Sequence, residues 1–131
     1  MILLDTHAWV WWVSNPELLS KQTLQILKKG ASEKSIVVSC ISAWEVAMLV
    51  KKGRLKLSQD VEEWIRKSER LSFLNFIPID NAILLKSVSI SEKISKDPAD
   101  RIIVATAVIL GAKLVTKDAG LKKAKLVETI W

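Results

Sequence analysis

Cysteine and histidine are almost absent from this sequence. The 131-residue chain has one of each, Cys40 and His7. A single cysteine excludes an intrachain disulfide and gives no reason to expect an oxidising compartment, so we expect a cytoplasmic protein. One cysteine and one histidine are also too few for an ordinary structural zinc site. We therefore expect His7 to be a packed or exposed helix residue.

Long apolar segments are also missing. No stretch approaches the roughly 20 uncharged apolar residues that a membrane-spanning helix needs. The apolar first residues, Met1 to Leu4, meet Asp5 at once, without the basic start and longer apolar stretch of a signal peptide. We therefore expect a chain that is neither exported nor embedded in a membrane.

Glycine and proline are scarce, with four and three residues, and the chain has no repeat, linker or low-complexity tract. Residues 1–131 therefore fit a single domain. Half of the residues are hydrophobic and 26% are charged, which excludes a disordered chain. The net charge of +6 favours a polyanionic partner through counterion release, although the charged surfaces of heat-adapted proteins explain it equally well.

Short, charge-free apolar runs predict buried strands. These runs are Met1–Leu4, Ile36–Val38, Phe76–Ile79 and Leu114–Thr116, with Leu126–Val127 as an optional fifth. Pro78 places the third strand near a sheet edge, because proline cannot donate a hydrogen bond to a neighbouring strand.

Helical periodicity and capping residues fill the segments between these strands. The first predicted helix is Ser20–Lys29, which Gly30 stops. The second begins with a capping box at Ser42–Glu45 and is closed by Gly53. Three further helices are capped by Ser58, Asp80 and Asp97, and the last of them ends at Gly111. We expect the tryptophans of the early helices (Trp9, Trp11, Trp12 and Trp44) to serve the core. Strands that alternate with helices predict an α/β fold of three layers, α/β/α, around a mainly parallel sheet of four to five strands.

Four acidic residues are expected at the carboxyl edge of this sheet, where the carboxyl ends of parallel strands meet and ligands bind. Asp5 follows the first strand, Glu45 the second and Asp118 the fourth. Asp100 joins them because its helix runs back to the start of the fourth strand. Each acid alone is explained by helix capping. Together they repel, by about 4 kcal/mol for a pair about 4 Å apart at an effective dielectric near 20, so protonation or a bound cation must neutralise them.

Carboxylate oxygens without cysteine or histidine nearby select hard cations such as Mg²⁺ or Mn²⁺. Such cations activate water and clamp the oxygens of a phosphodiester during in-line displacement. The residues therefore favour nuclease chemistry, though not uniquely.

Four motifs together resemble the PIN-domain ribonucleases of the VapC toxin type. They are Asp5-Thr6-His7 followed by Trp11-Trp12, then Ser42-Ala43-Trp44-Glu45, Asp97-Pro98-Ala99-Asp100-Arg101 and Val115-Thr116-Lys117-Asp118. Their order and spacing cover nearly the whole chain. The resemblance implies a PIN-like fold and an Mg²⁺- or Mn²⁺-dependent endoribonuclease that hydrolyses RNA with a metal-activated water. It also implies the toxin of a type II toxin–antitoxin pair, a homodimer inhibited by a separate antitoxin chain.

Carried over by position, the resemblance implies metal binding by Asp5, Glu45, Asp100 and Asp118, the last being less constant. Thr6, Thr116 and Asp97 are then supporting residues, and Asp97 is kept outside the ligand set because it suits a helix cap. Arg101 and Lys117 stand next to the acids in sequence, so we expect them to contact RNA phosphates.

Two other functions stay open. A receiver-like signalling module has a similar size and sheet, and Asp80 after the third strand would be its phosphorylated residue, with Lys117 after the fourth. An inactive PIN scaffold that only binds RNA is the other, because a sequence shows the ligands but not the distances between them.

Overall fold

Five short parallel strands form the centre of the protein. The computed structural model describes residues 1–131, and its strands are β1 (Ile2–Leu4), β2 (Ile36–Ser39), β3 (Leu74–Ile77), β4 (Lys113–Val115) and β5 (Thr129–Ile130). They lie in the order β3-β2-β1-β4-β5, and every neighbouring pair is parallel. The predicted α/β fold with a parallel sheet is confirmed.

Helices connect consecutive strands. They are α1 (Thr6–Ser14), α2 (Lys21–Ser32), α3 (Cys40–Lys51), α4 (Val61–Glu69), α5 (Asn81–Ser89), α6 (Pro98–Leu110) and α7 (Ala119–Ala124), with a 3₁₀ turn at Pro16–Leu18. None of them has the length and apolar character needed to cross a membrane.

The sheet has a hydrophobic core on each face, because successive side chains of a strand point to opposite sides. Leu4 packs with Val38, Val115 and residues of α1, α2 and α4. Leu3 packs with Val37, Leu114 and residues of α5 and α6 on the other face. The three-layer arrangement predicted from the alternating pattern is therefore confirmed.

The edge strands differ from their predicted bounds. β3 is an edge strand, as Pro78 indicated, and it ends one residue before that proline. The fifth strand is Thr129–Ile130, so the predicted Leu126–Val127 was wrong. A parallel strand must start at the amino edge of the sheet, and α7 begins at the opposite edge. Residues 125–128 therefore lead the chain from the end of α7 to the amino edge, where β5 starts and pairs with β4.

Two predicted helix starts were also wrong. α3 begins at Cys40 and is capped by Ser39, whose Oγ accepts a hydrogen bond from the Ile41 N–H at 3.1 Å. Ser42 is therefore buried inside the helix and caps nothing. Asp60, not Ser58, caps α4 because its carboxylate accepts from the first-turn N–H groups. The predicted caps Asp80 and Asp97 are confirmed.

The three glycines predicted to end helices behave differently. Gly53 directly follows Lys52, the C-cap of α3, and has a left-handed φ of +70°, so its prediction is confirmed. Gly111 does end α6 and has a left-handed φ of +62°, which glycine adopts without steric cost. Gly30 does not end α2, which continues to Ser32. A Cβ at Gly30 would lie 2.5 Å from Cδ1 of Ile36, so glycine at this position allows α2 to approach the sheet closely.

The tryptophans of the early helices do not all serve the core. Trp9 is fully buried and its ring lies 4.7 Å from that of Trp64. Trp11 and Trp12 are partly buried. Trp44 is 57% exposed on α3, so its prediction as a core residue was wrong.

The two faces of α6 give a test of this packing. Ile103 is 2% exposed and Ile109 is 47% exposed in the same helix. We expect Ile103→Ala to lower the free energy of unfolding by about 2–5 kcal/mol, because it leaves a cavity in the core. Ile109→Ala should lower it by less than about 1 kcal/mol. Urea denaturation of both variants checks this, and equal losses would contradict the assigned faces.

Candidate active site

A cavity of about 520 Å³ opens at the carboxyl edge of the sheet. We call it the acidic cavity, and it is lined by Asp5, Thr6, His7, Trp11, Glu45, Asp97, Asp100, Thr116, Lys117, Asp118 and Leu121. The four acids expected at this edge all line it, together with Asp97. These acids come from distant parts of the sequence and meet here because the carboxyl ends of parallel strands share one edge of the sheet.

Asp5 lies where β1 ends and α1 begins. Its backbone N–H donates to the Val115 carbonyl at 3.1 Å, and one carboxylate oxygen caps α1 by accepting from the Ala8 N–H at 2.8 Å. Burial raises the pKa of Asp5, and a hydrogen bond from the Thr116 hydroxyl partly opposes this shift. Asp5 is therefore a rigidly held carboxyl group whose charged form is poorly solvated.

Thr6 and Ser42 hold Glu45. The buried Thr6 hydroxyl donates to the Glu45 carboxylate, and its oxygen lies 2.9 Å from the Ser42 hydroxyl. Since Thr6 has a single hydroxyl proton, Ser42 can supply the proton of the second hydrogen bond. Burial raises the pKa of Glu45, and the bond from Thr6 opposes that rise. α1 and α3 thereby fix one carboxylate between them.

The start of α6 brings two more carboxylates to the cavity. Asp97 caps the helix through the Ala99 N–H at 2.9 Å, and Asp100 accepts a hydrogen bond from Ser95 at 3.3 Å. Carboxylate oxygens of Glu45, Asp97 and Asp100 all lie within 4.8 Å of one another. Asp97, which sequence reasoning kept outside the ligand set, is thus as close to the other two as a ligand would be.

The surroundings of Asp100 also raise its pKa. Burial raises its pKa to about 6, with further contributions from the neighbouring charges of Asp97 and Glu45. The shift follows from the geometry, because desolvation and like charges both disfavour an ionised carboxylate.

Asp118 closes the cavity on the β4 side. Its N–H donates to the buried Thr116 hydroxyl at 3.1 Å, and its carboxylate caps α7 by accepting from Leu121 at 3.0 Å. Thr116 therefore supports both Asp5 and Asp118. The supporting role that the resemblance gave to Thr116 stays a prediction.

No lysine or arginine side chain pairs with these carboxylates. The ion pairs of the protein are Arg66–Glu62 and Lys113–Glu128, neither of which involves an acid of the cavity. Several desolvated carboxylates without a cationic partner fit a bound divalent cation, and an all-oxygen donor set fits Mg²⁺ or Mn²⁺. The residues present are therefore chemically suited to that kind of ion.

The two basic residues expected near the acids lie in different surroundings. Lys117 lines the acidic cavity. The Arg101 guanidinium instead donates to the backbone carbonyls of Ser87 and Val88, both at 3.1 Å, at the end of α5. Arg101 does not line the cavity, and two of its donors are used in joining α5 to α6.

Sequence reasoning missed four residues of the site. His7 and Trp11 line the cavity, Ser42 holds Thr6, and Ser95 holds Asp100. For His7 and Trp11 the sequence did hold a signal. They are four residues apart and therefore share a face of α1, which begins directly after Asp5. Nothing in the sequence pattern identified the two serines, whose partners are set by packing between helices and by a loop.

The chain is similar in sequence to proteins of a known family. The PIN domain family matches residues 2–126. Ribonuclease VapC22 of Mycobacterium tuberculosis is 32% identical over 122 residues, which cover 92% of this chain and 89% of the relative.

Solved toxin–antitoxin structures have a similar fold. VapBC2 from Rickettsia felis, bound to a DNA fragment from their promoter, has a TM-score of 0.73 at 18% identity and covers 99% of this chain and 98% of its own. A toxin–antitoxin complex from Klebsiella pneumoniae has a TM-score of 0.66 at 22% identity and covers 100% and 97%.

The fold and the acidic cavity thus define a small α/β protein of the nuclease-like class, with a carboxylate centre at the carboxyl edge of a parallel sheet. The chain belongs to the PIN-domain family, since the family matches nearly its whole length.

The raised pKa of Asp100 gives a pH-dependent stability. Its folded-state pKa of about 6 is above the ordinary value of 3.8, so the folded protein binds the proton more tightly than the unfolded chain. The contribution of Asp100 to the free energy of unfolding is therefore fully present below pH 3.8 and is lost as the pH rises through about 6. We expect melting temperatures measured in EDTA to fall from pH 4 to pH 7 less steeply for Asp100→Asn than for the wild type.

The control for this experiment is Glu63→Gln, which removes an exposed charge in the first turn of α4. It should follow the wild-type curve. Added Mg²⁺ at pH 7 should raise the melting temperature of the wild type more than that of Asp100→Asn, because the cation binds only the folded carboxylates. Identical pH profiles for wild type and Asp100→Asn would show that Asp100 is not destabilised by its surroundings.

Proposed function

We propose that this protein is a divalent-cation-dependent endoribonuclease and the toxin of a type II toxin–antitoxin pair. The observation that carries the proposal is the acidic cavity, in which five carboxylates converge without a lysine or arginine ion-pair partner. The 32% identity to a ribonuclease over most of both chains supports RNA as the substrate.

Carboxylates of the acidic cavity would hold the cation. Glu45 and Asp100 would be its ligands, with Asp5 and Asp118 at the ends of two neighbouring strands, and Asp97 is close enough to Glu45 and Asp100 to join them. Mg²⁺ or Mn²⁺, when bound, would supply the charge that activates water and stabilises the attacked phosphate.

The remaining residues position these ligands. Thr6 orients Glu45, Ser95 restrains Asp100, and Thr116 restrains Asp5 and the backbone of Asp118. Lys117 is at the rim, where its ammonium group can contact an RNA phosphate. Arg101 would have to give up its bonds to α5 to make a similar contact, so we assign the phosphate contact to Lys117.

An antitoxin and a second copy of the chain are the proposed protein partners. The structures of similar fold include complexes of a toxin with its antitoxin, some of them bound to DNA. We propose that a separate antitoxin chain inhibits this ribonuclease and that the ribonuclease is a homodimer. The ribonuclease and its antitoxin would act in the cytoplasm, where the RNA substrate is.

The receiver-like alternative has no support from the site. Asp80 does not line the acidic cavity, and its carboxylate caps α5 by accepting from the Ile83 N–H at 2.9 Å. It lies after the edge strand β3, which β2 separates from β1 and β4 in the sheet. The inactive RNA-binding scaffold remains the alternative that a cleavage assay decides.

Cleavage of single-stranded RNA tests the proposed function. We expect the wild type to cleave in Mg²⁺ or Mn²⁺ and to stop in EDTA. Asp5→Asn and Glu45→Gln should each lower kcat/KM by at least about a hundredfold, because each removes a metal-binding oxygen charge.

Glu63→Gln is the matched control in this assay, since it removes an exposed acid far from the cavity in the chain and should leave cleavage unchanged. Equal cleavage by the wild type and both cavity variants would assign the activity to a contaminant. RNA binding without products under any cation would favour the inactive scaffold.

The hydrogen bond from Thr6 to Glu45 gives a second test. Thr6→Val keeps the shape of a side chain that is 3% exposed but removes its hydroxyl. We expect kcat/KM to fall about 10–100-fold, as is typical when the partner of a metal ligand is lost, and a higher Mg²⁺ concentration to be needed. Thr6→Ser retains a hydroxyl and should recover most of the activity. An unchanged Mg²⁺ requirement in Thr6→Val would show that Thr6 does not position Glu45.

A further inference from the structure

Two tryptophans and a lysine form a cluster next to the acidic cavity. The rings of Trp11 and Trp131 lie 5.7 Å apart in an edge-on arrangement, and the Lys117 ammonium nitrogen is 5.9 Å from each ring centroid. The centroid of the His7 ring lies 5.8 Å from that of Trp11. We call Trp11, Trp131 and Lys117 the aromatic cluster.

The aromatic cluster stands where two cavities meet. Trp11 and Lys117 line the acidic cavity, and Trp131 lines a second cavity of about 600 Å³ beside α2 and β5, which we call the β5 groove. Thr116 lines both cavities. A chain that leaves the carboxylates in this direction would therefore pass the two rings before it enters the groove.

The β5 groove carries a small excess of positive charge. Lysines 29, 113 and 122 line it, together with two glutamates. Lys113 forms an ion pair with Glu128 at 3.6 Å. Of the other charged side chains that line the groove, two are positive, Lys29 and Lys122, and one is negative, Glu33. This balance suits a polyanion better than an acidic or neutral groove would.

The cluster differs from the tryptophans that only pack. Trp9 is fully buried among apolar side chains, whereas Trp11 and Trp131 keep exposed surface and have a lysine over their rings. Partly exposed aromatic rings beside a cation are the features with which proteins bind single-stranded nucleic acid, since a base stacks on a ring while a cation holds its phosphate.

We propose that the aromatic cluster is a base-stacking subsite for single-stranded RNA. It holds the nucleotide next to the scissile phosphate, and the strand continues into the β5 groove. The inference rests on the proposed ribonuclease function and deepens it by assigning a part of substrate binding to Trp11 and Trp131. A paired strand would not fit this subsite, because its bases are stacked within the duplex.

Binding can be measured without cleavage in the Glu45→Gln background. The probe is a fluorescein-labelled oligouridylate of about eight nucleotides, followed by anisotropy in Mg²⁺. We expect Trp131→Ala and Trp11→Ala to weaken binding about tenfold, which is within the range for loss of one stacked base. Trp131→Phe should retain most of the affinity, because phenylalanine still offers a ring. Trp44→Ala, which removes an exposed tryptophan outside both cavities, should bind like its parent.

Steady-state cleavage in the otherwise wild-type chain separates stacking from folding. Loss of ground-state binding raises KM and leaves kcat nearly unchanged, so this pattern is expected for Trp131→Ala. Melting temperatures measured alongside show which variants fold. If Trp131→Ala fails to fold, Trp131→Leu, which preserves apolar packing without a ring, takes its place against Trp131→Phe.

Unchanged oligouridylate affinity in folded variants that lack either ring would overturn the proposal and leave the cluster as packing between α1 and the chain after β5. Tighter binding of duplex RNA than of the oligouridylate would overturn it too. If the wild type cleaves no RNA but ring removal still weakens oligouridylate binding, the proposed ribonuclease function fails while the stacking subsite stands.

Discussion

Carboxylates that converge in a partly desolvated cavity repel one another, and the rest of this structure has to hold them in place against that repulsion. The fold does so by placing some of the acids at junctions between elements and the others, Glu45 and Asp100, within helices α3 and α6. Asp5 stands between β1 and α1, and Asp118 between β4 and α7. Their backbone positions are fixed by the parallel sheet, so the carboxyl groups cannot separate without disturbing strand pairing or helix starts.

Helix capping uses one oxygen of three carboxylates that line the cavity. Asp5, Asp97 and Asp118 each accept a backbone N–H hydrogen bond at the start of a helix through Oδ1. The helix N-termini also place partial positive charge next to the acids, which eases their crowding. Because each carboxylate has a second oxygen, the capping role does not exclude the ligand role that we propose. From the sequence alone the two roles were alternatives.

Much of this arrangement could be predicted from the sequence, because it depends on local patterns. Apolar runs such as Ile36–Val38 fixed the strands, and Asp97-Pro98 fixed the start of α6. The convergence of Asp5, Glu45 and Asp100 then followed from parallel topology. Features set by tertiary contact could not be predicted in this way. Ser42 resembles a helix cap in sequence, but it is buried because α3 starts three residues earlier, directly at the end of β2.

Arg101 and Lys117 show the same difference between a local sequence pattern and a tertiary contact, and this difference affects substrate binding. Arg101 follows Asp100 by one residue, and consecutive residues of a helix point about 100° apart, so Arg101 faces α5 while Asp100 faces the cavity. Lys117 follows a strand and stays at the carboxyl edge. Although the chain carries a net charge of +6, Lys117 is the only lysine or arginine that lines the acidic cavity. The proposed binding of RNA therefore assigns different roles to different groups: the carboxylates would hold the cation, and Lys117 with the aromatic rings beside it would contact the RNA.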